Sequence, residues 1–365
     1  MPPLVSVITA AYNAEPFIRE AVESVLAQTL TDFELIVIDD ASTDATPEIL
    51  KSYSDKRIRV LRNQRNLKRA AARNVGIAAA RGQYVAIHDA DDIALPHRLE
   101  TQVRYLDLHP GVAVLGSYAI GIGEQGNVLR LWDHPPAEDI DIKWTLLHHN
   151  PFIHSAVMLR RAVLDHVGNY LESSDAELVE DYELLSRMSR VAACANLTIP
   201  LLKYRFHENS ASSREIERQR RQSNQVAQQN ICCLTGWRTM DLECWDARER
   251  FLYHDPHAPI DLNAEQVRST FGFLEALHEA FYQKHGLERS EWARHRRLHF
   301  TRYARHGFSL ALRRNGKRES RCRALLFLYA FDMLRKALRP TQGHERRRKQ
   351  SSIGNQLKGE CRPES

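Results

Sequence analysis

Residues Phe33-Glu34-Leu35-Ile36-Val37-Ile38-Asp39-Asp40-Ala41-Ser42-Thr43-Asp44-Ala45-Thr46-Pro47 set out a strand, an acidic turn and a helix start in one short run. Phe33 to Ile38 is apolar on both faces, as in a strand covered from both sides. Thr46-Pro47 reads as an N-cap followed by proline at the first helical position, where a missing N–H costs little. The same unit recurs on either side. Upstream, Leu4 to Thr9 is a β-rich run. Glu15 to Gln28 then carries Phe17 or Ile18, Ala21, Val22, Val25 and Leu26 at helical spacing. Downstream come a strand at Ile58 to Leu61, an alanine-rich helix from Arg69 to Ala80 closed by Gly82, a strand at Tyr84 to His88, and a helix from Pro96 to Leu108. Strands alternating with helices of this length predict an α/β fold with a mostly parallel sheet and helices on both faces. Ligands of such sheets bind beyond the carboxyl ends of strands. The loops after Thr9, Ile38 and His88 are therefore the places to search.

The pattern loosens beyond Gly111. Val112 to Leu115 and Phe152 to Leu159 read as strands, Glu180 to Ala192 as a helix, and Leu201 to Phe206 as a further strand. Ser212 to Gln229 is polar and helical in pattern. Asn263 is a candidate cap for a helix with Val267, Phe271, Leu274, Leu277 and Phe281 on one face. Trp292 to Leu338 reads as two basic helices, and the chain from His344 onward as disordered. These signals divide the 365 residues into an α/β domain over 1–212, a helical basic region over 213–340 and a disordered tail over 341–365.

Composition narrows the class. With 43% hydrophobic and 27% charged residues, the chain is ordinary for a globular protein. Mean hydropathy is −0.46, and no apolar run approaches 18 residues, which argues against a spanning helix. Asn13, Glu15, Arg19 and Glu20 interrupt the opening too early for a secretory leader. The 6 cysteines show no CxxC spacing and read as reduced thiols, which suggests a cytoplasmic protein. Charge is segregated. Residues 290–349 hold 18 Lys+Arg against 4 Asp+Glu, a surplus of +14; with 350–365 neutral, the total of +5 leaves −9 on residues 1–289. A basic C-terminal region on an acidic body points toward an anionic partner.

The densest chemical signal is Ile87-His88-Asp89-Ala90-Asp91-Asp92, followed by Pro96. Three carboxylates in four positions at a strand end repel one another unless a cation neutralises them. Hard oxygens suit Mg²⁺ or Mn²⁺, which commonly bridge to phosphates; a solvated acidic loop is the alternative. Asp39-Asp40 ends another strand, where a carboxylate can accept from a nucleobase or a ribose, or can simply make an Asx turn. Val5-Ser6-Val7-Ile8-Thr9-Ala10-Ala11-Tyr12-Asn13 offers small residues against which a flat ring can lie.

Taken in order, these blocks resemble the family 2 inverting glycosyltransferases of GT-A fold. Tyr12-Asn13 looks like that family's opening. Asp39-Asp40-Ala41-Ser42-Thr43-Asp44 resembles its Asp-Asp-Gly-Ser segment, with Ala41 in place of glycine. Asn66 and Ala71-Ala72-Arg73-Asn74-Val75-Gly76 resemble its Asn-x-Gly and Ala-Arg-Asn-x-Gly block, with Leu67 where glycine is common. Asp89-Ala90-Asp91-Asp92 resembles its DXD element, and Tyr204-Arg205-Phe206-His207 its closing segment. Gly168-Asn169-Tyr170 before Glu180-Asp181 is similar to its lead-in to a catalytic Glu-Asp pair. The similarity spans roughly residues 3–210.

The resemblance implies a role for each position. Thr9, Ala11, Tyr12, Asp39, Asp40, Asn66, Arg73, Asp91 and His207 would bind a nucleoside-diphosphate sugar, in expectation a UDP-sugar. Asp89, Asp91 and Asp92 would hold Mn²⁺ or Mg²⁺. Asp181 would be the base that an inverting transfer requires, with Glu180 beside it on the acceptor or metal side. First-turn acids are also ordinary helix capping. His154 falls where an acceptor-side residue often lies, or is a strand-end histidine.

The expected acceptor is a glycan or lipid-linked hydroxyl, in bacterial surface polysaccharide or lipopolysaccharide assembly. The basic C-terminal helices would then either meet an anionic membrane surface, making the enzyme peripheral at the inner face, or pack on the catalytic domain. Nucleic-acid binding lacks any supporting motif. A nucleotidyltransferase would show a Gly-rich phosphate loop, and Leu4 to Asn13 has no glycine. A non-catalytic nucleotide- or glycan-binding protein on the same fold is the remaining alternative.

Overall fold

The computed structural model describes residues 2–132, 135–207, 215–237, 264–312 and 328–336. Two compact units result, Met1–Ala227 and Gln228–Ser365. The change of composition at 212, the candidate cap Asn263 and the tail over 341–365 lie outside the described residues.

The first unit holds a nine-stranded sheet. Its strands are β1 (Val5–Ala11), β2 (Phe33–Asp39), β3 (Ile58–Arg62), β4 (Tyr84–Ile87), β5 (Ile93–Ala94), β6 (Val112–Ile122), β7 (Val128–Trp132), β8 (Met158–Arg160) and β9 (Ala193–Arg205). The order is β3-β2-β1-β4-β8-β6-β9-β5, with β7 paired to β6. β1, β2, β3 and β4 are mutually parallel, and β6 and β9 run the same way. β8 is inserted antiparallel between β4 and β6, and β5 and β7 are antiparallel edge additions. The sheet is thus mostly parallel, as the strand–helix alternation predicts.

β1 and β2 form the core, with Val5, Val7, Ile8 and every residue from Phe33 to Ile38 buried. Helices α1 (Ile18–Leu26), α3 (Lys68–Ala79) and α4 (Arg98–Leu108) cover the sheet. α1 buries Ile18, Ala21, Val22 and Val25, the stripe read from the sequence. Gly76 lets α3 lie close. A Cβ there would fall 2.6 Å from Ile38 Cδ1 and 2.7 Å from Ile8 Cγ2, and overpacking of this kind costs about 1–3 kcal/mol.

Several elements differ from expectation. Phe152 to Leu159 is not one strand: a 3₁₀ turn occupies His154–Ala156, and only Met158–Arg160 pairs. Apolar spacing alone could not reveal that Ser155 turns inward to accept from the Asp89 N–H at 2.9 Å. The strand expected at Val112 to Leu115 runs on to Ile122, and that expected at Leu201 to Phe206 begins at Ala193; these two long strands pair with each other. At α2 (Thr46–Lys51) the cap is Ala45, not Thr46. Asp44 Oδ1 accepts the Thr46 N–H at 3.0 Å, while Thr46 Oγ1 accepts from the Ala14 N–H at 2.9 Å.

Helices α5 (Asp139–Leu146), α6 (Arg161–Val167) and α7 (Glu180–Val191) follow, and α8 (Ile216–Thr235) begins in the first unit. The second unit contains α9 (Ala264–His285) and α10 (Arg289–Leu312), and residues 328–336 are also helical. Val267, Phe271, Leu274, Leu277 and Phe281 are all buried, the face predicted from their spacing. Phe281 stacks on His295 of α10, and Phe271 on Tyr329. Among the described residues, no helix is long and apolar enough to cross a membrane.

Candidate active site

Parallel pairing puts the carboxyl ends of β1, β2 and β4 on one edge of the sheet, and the acidic loops extend from it. The loops after β1 and β2 are laced together. Asn13 N–H donates to Ser42 Oγ at 3.0 Å, Thr43 N–H donates to Asn13 Oδ1 at 2.8 Å, and Glu15 N–H to Asp44 Oδ2 at 3.0 Å. Asp39 accepts from the Ser42 N–H and faces Arg62 Nε at 3.2 Å. Asp40 accepts from Asn63 Nδ2 at 2.7 Å and from the Leu67 and Lys68 N–H groups at 2.9 and 3.0 Å. It thus satisfies two of the backbone donors at the start of α3, which the sequence alone does not disclose. Asn66 accepts from the same Lys68 N–H.

Ala41 has φ +61°, where the family pattern has glycine. An L-residue in that region costs roughly 1–2 kcal/mol, and the surrounding hydrogen bonds must hold it there. In the Asn66 block the left-handed residue is Lys68, with φ +74°, while Leu67 stays right-handed at φ −92°.

Thr9 is buried, and its Oγ1 has no hydrogen-bond partner among the described residues. Ala11 is buried with its carbonyl accepting from the Asp40 N–H, and Tyr12 is half exposed. A polar hydroxyl, a short methyl and a free-standing ring thus sit side by side at the end of β1.

The three aspartates after β4 are treated differently by their surroundings. Asp89 accepts from Arg73 Nη2 at 2.9 Å; burial acts to raise its pKa, but the guanidinium outweighs it and lowers the pKa to about 2. Asp91 Oδ2 lies 2.9 Å from His207 Nε2, and Arg205 donates to its carbonyl. Asp92 is buried, with Oδ1 accepting the Arg205 N–H at 2.8 Å and Oδ2 lacking a hydrogen-bond partner among the described residues. Burial, then Asp91 and Asp89, push its carboxyl well above the usual range. Beneath the loop, buried Arg98 donates to the carbonyls of Ile87 and Val157. Burial lowers its pKa to about 10, and Asp92 and Asp89 oppose that fall.

Glu180 and Asp181 open α7, but they meet different partners. Glu180 is buried and gripped by two arginines, Arg73 Nη1 at 2.7 Å and Arg69 Nε at 3.3 Å. Asp181 is half-buried, and Asn150 Nδ2 donates to its Oδ2 at 2.9 Å. Burial and the Glu180 carboxylate push its pKa up to about 6. It lines a cleft of about 290 Å³ shared with Asn150, Tyr182 and the first turns of α8. Tyr170 is tied to α3 by two bonds with Asn74, Nδ2 to the Tyr170 carbonyl at 2.9 Å and Tyr170 N–H to Oδ1 at 3.1 Å. Its hydroxyl meets His154 Nε2 at 2.8 Å. Burial and then Arg73 lower the His154 pKa to about 3, so it is neutral.

Buried Arg73 therefore joins the Asp89 loop to the Glu180 helix, across 16 and 107 residues of chain. Asn63, Arg69, Arg98, Asn150 and Ser155 belong to the same assembly and carry no motif that marks them in the sequence.

The family model described as Glycosyl transferase family 2 matches residues 6–168. A Haemophilus influenzae protein described as an uncharacterized glycosyltransferase is 37% identical over 239 residues, 63% of this chain and 73% of that one. The chain belongs to glycosyl transferase family 2. As a glycosyltransferase, it is also similar to an Escherichia coli relative, UDP-Glc:alpha-D-GlcNAc-diphosphoundecaprenol beta-1,3-glucosyltransferase WfaP, with 30% identity over 63% of this chain and 91% of that one. Staphylococcus aureus TarS 1–349, solved in complex with UDP-GlcNAc, shares the fold at TM-score 0.54 and 18% identity over 92% of both chains.

Proposed function

We propose that this glycosyltransferase moves a sugar from a UDP-sugar to a hydroxyl of a glycan or lipid-linked acceptor, with inversion and with a divalent cation, in bacterial surface polysaccharide assembly. The observation that carries the reading is the division of labour at α7: two arginines occupy Glu180, while Asp181, with its raised pKa, faces the cleft. In the transfer, the acceptor oxygen bonds to the anomeric carbon as Asp181 takes its proton. The C1–O bond to the diphosphate breaks, and the electron pair leaves with the diphosphate.

The carboxylates of Asp89, Asp91 and Asp92 suit a hard cation by their chemistry, with Asp89 engaged by Arg73 and Asp91 by His207. The set is all oxygen, and the buried Oδ2 of Asp92 has no hydrogen-bond partner among the described residues. Bound there, Mn²⁺ or Mg²⁺ would stabilise the charge that develops on the diphosphate. Thr9, Ala11, Tyr12, Asp39 and Asp40 frame the uridine side, and His207 orients Asp91. Arg73 acts by positioning Asp89 and Glu180. The names of WfaP and of the TarS complex support a UDP-linked donor, and that of WfaP a lipid-linked acceptor.

A thermal-shift panel of nucleotide sugars tests the donor and the cation together. UDP-sugars with Mn²⁺ should stabilise the chain by about 2.7 kcal/mol at a hundredfold excess over Kd. GDP-sugars should not, and Asp91→Ala should remove the manganese-dependent part. Equal stabilisation without metal would overturn the cation reading.

The basic second unit suits an anionic membrane at the inner face of the cell. Arg294, Arg297 and Arg305 of α10 are exposed, and each basic residue near such a surface adds about 1 kcal/mol. The full chain should co-sediment with phosphatidylglycerol vesicles and stay in solution with phosphatidylcholine vesicles. Indifference to lipid charge would exclude the membrane role.

A further inference from the structure

Three arginines are buried among the described residues, Arg73, Arg98 and Arg205. Arg73 pairs with Asp89 and Glu180, and Arg205 with Glu20. Arg98 differs, because every acceptor it meets is neutral. These are the Ile87 carbonyl at 2.7 Å, the Val157 carbonyl at 3.3 Å, Gln102 Oε1 at 3.2 Å and His88 Nδ1 at 3.3 Å. A guanidinium only donates, so Nδ1 is the unprotonated nitrogen of that ring. Asp92 and Asp89 favour the Arg98 charge through space, without a direct bond. Arg98 is also the first residue of α4, where the helix dipole opposes a cation. A buried charge with no bonded anion, at the positive end of a helix, is costly on both counts. Fold stability does not account for it.

Its position does explain the shape of the aspartate loop. Ile87 ends β4, two positions before Asp89. Val157 follows the 3₁₀ turn His154–Ala156, whose Ser155 accepts from the Asp89 N–H at 2.9 Å. The Ile87 N–H donates to the Val157 carbonyl at 3.0 Å. Arg98 Nη2 thus grips both sides of the seam from which the loop leaves the sheet. One helical turn on, Gln102 Nε2 donates to the Ala156 and Leu115 carbonyls at 2.8 and 3.3 Å. Arg98 and Gln102, four residues apart on one face of α4, hold the exit of the loop and the turn that supports it.

We propose that Arg98, together with Gln102, is a positioning residue of the transferase: it fixes the exit of the aspartate loop from β4, so that Asp89, Asp91 and Asp92 are set for a divalent cation before one binds. The proposal rests on the reading that these carboxylates take such a cation. Arg98 acts on that cation in two opposite senses. Its charge repels the ion, while its fork fixes the carboxylates that attract it. The second effect is the larger, because the fork bonds directly to the loop's anchoring carbonyls and the charge acts only from beneath.

The test is Mn²⁺ binding to the full chain in the presence of UDP, read by electron paramagnetic resonance of free Mn²⁺ against a UDP blank. UDP affinity in EDTA and Tm are measured alongside. Arg98→Met should weaken Mn²⁺ binding by about tenfold or more, with metal-free UDP affinity and Tm as in the wild type. Arg98→Lys keeps the charge without the fork and should lose as much. Gln102→Met leaves Arg98 in place and should lose less, in the same direction; it decides the matter if Arg98→Met does not fold. Unchanged or tighter Mn²⁺ binding in the folded variants would overturn the proposal. So would wild-type binding by Arg98→Lys, which would assign the effect to charge alone. If the wild type binds UDP but no Mn²⁺, the cation reading falls and the proposal with it. If the wild type binds Mn²⁺ and the variants bind it equally well, the positioning role alone fails.

Discussion

Asp181→Ala should lower kcat by about 10²–10⁴, the usual contribution of a positioned general base, and leave UDP affinity within a factor of two. The residue is placed for this. Asn150 fixes one carboxylate oxygen, the residue lines the cleft, and burial with Glu180 raises the pKa to about 6. A base works only when deprotonated. The rate of the wild type should therefore climb as pH rises through about 6 and level off above it. Asp181→Asn keeps the shape and loses the base, so it should be as inactive as the alanine variant and lack the acidic limb. Glu180→Gln should behave otherwise. It removes the charge that Arg73 and Arg69 hold, so its first effect should be a lower Tm. A Glu180→Gln variant that folds normally and loses turnover as completely as Asp181→Ala would reverse the assignment of the two acids.

Arg73→Met should destabilise the fold by about 3–5 kcal/mol, because Asp89 and Glu180 are left without their common cation in a buried site. Lysine should not restore it, since one ammonium cannot reproduce a fork that reaches two carboxylates in different directions. The effect should depend on pH in a definite sense. The folded pKa of Asp89 is depressed to about 2. The stability it contributes in the wild type is therefore present above the unfolded value near 3.8 and is lost as pH falls toward 2. The gap between wild type and Arg73→Met should be widest at neutral pH and should narrow below about pH 4. Urea midpoints measured at pH 7 and pH 3 decide it; a constant gap would mean that the ion pair is not what Arg73 supplies.

The sheet was legible because its signals are local. Phe33 to Ile38 is apolar on both faces and becomes a strand buried on both faces, and the helical stripe of α1 and the buried face of α9 appear where their spacing puts them. Acids at two strand ends could be located without a structure, since parallel strands deliver their carboxyl ends to one edge. The places where reading failed were set by distant partners. Phe152 to Leu159 looked like one strand, but Ser155 is drawn into a turn by the backbone of Asp89.

The chain's own order of residues thus determined the strand–helix alternation, the acidic loops and the family. The resemblance gave Asp181 and Glu180 different roles, but the residues alone did not say what holds either of them. The two acids are adjacent at the start of one helix, where successive side chains point about 100° apart, and each therefore meets a different part of the molecule. Glu180 meets Arg69 and Arg73, more than a hundred residues earlier, while Asp181 meets Asn150 and the cleft. The same holds among Asp89, Asp91 and Asp92, which are near equals in sequence and acquire an arginine, a histidine and a buried backbone donor. Charge state and role are properties of the surroundings, and those surroundings are assembled only when remote segments pack.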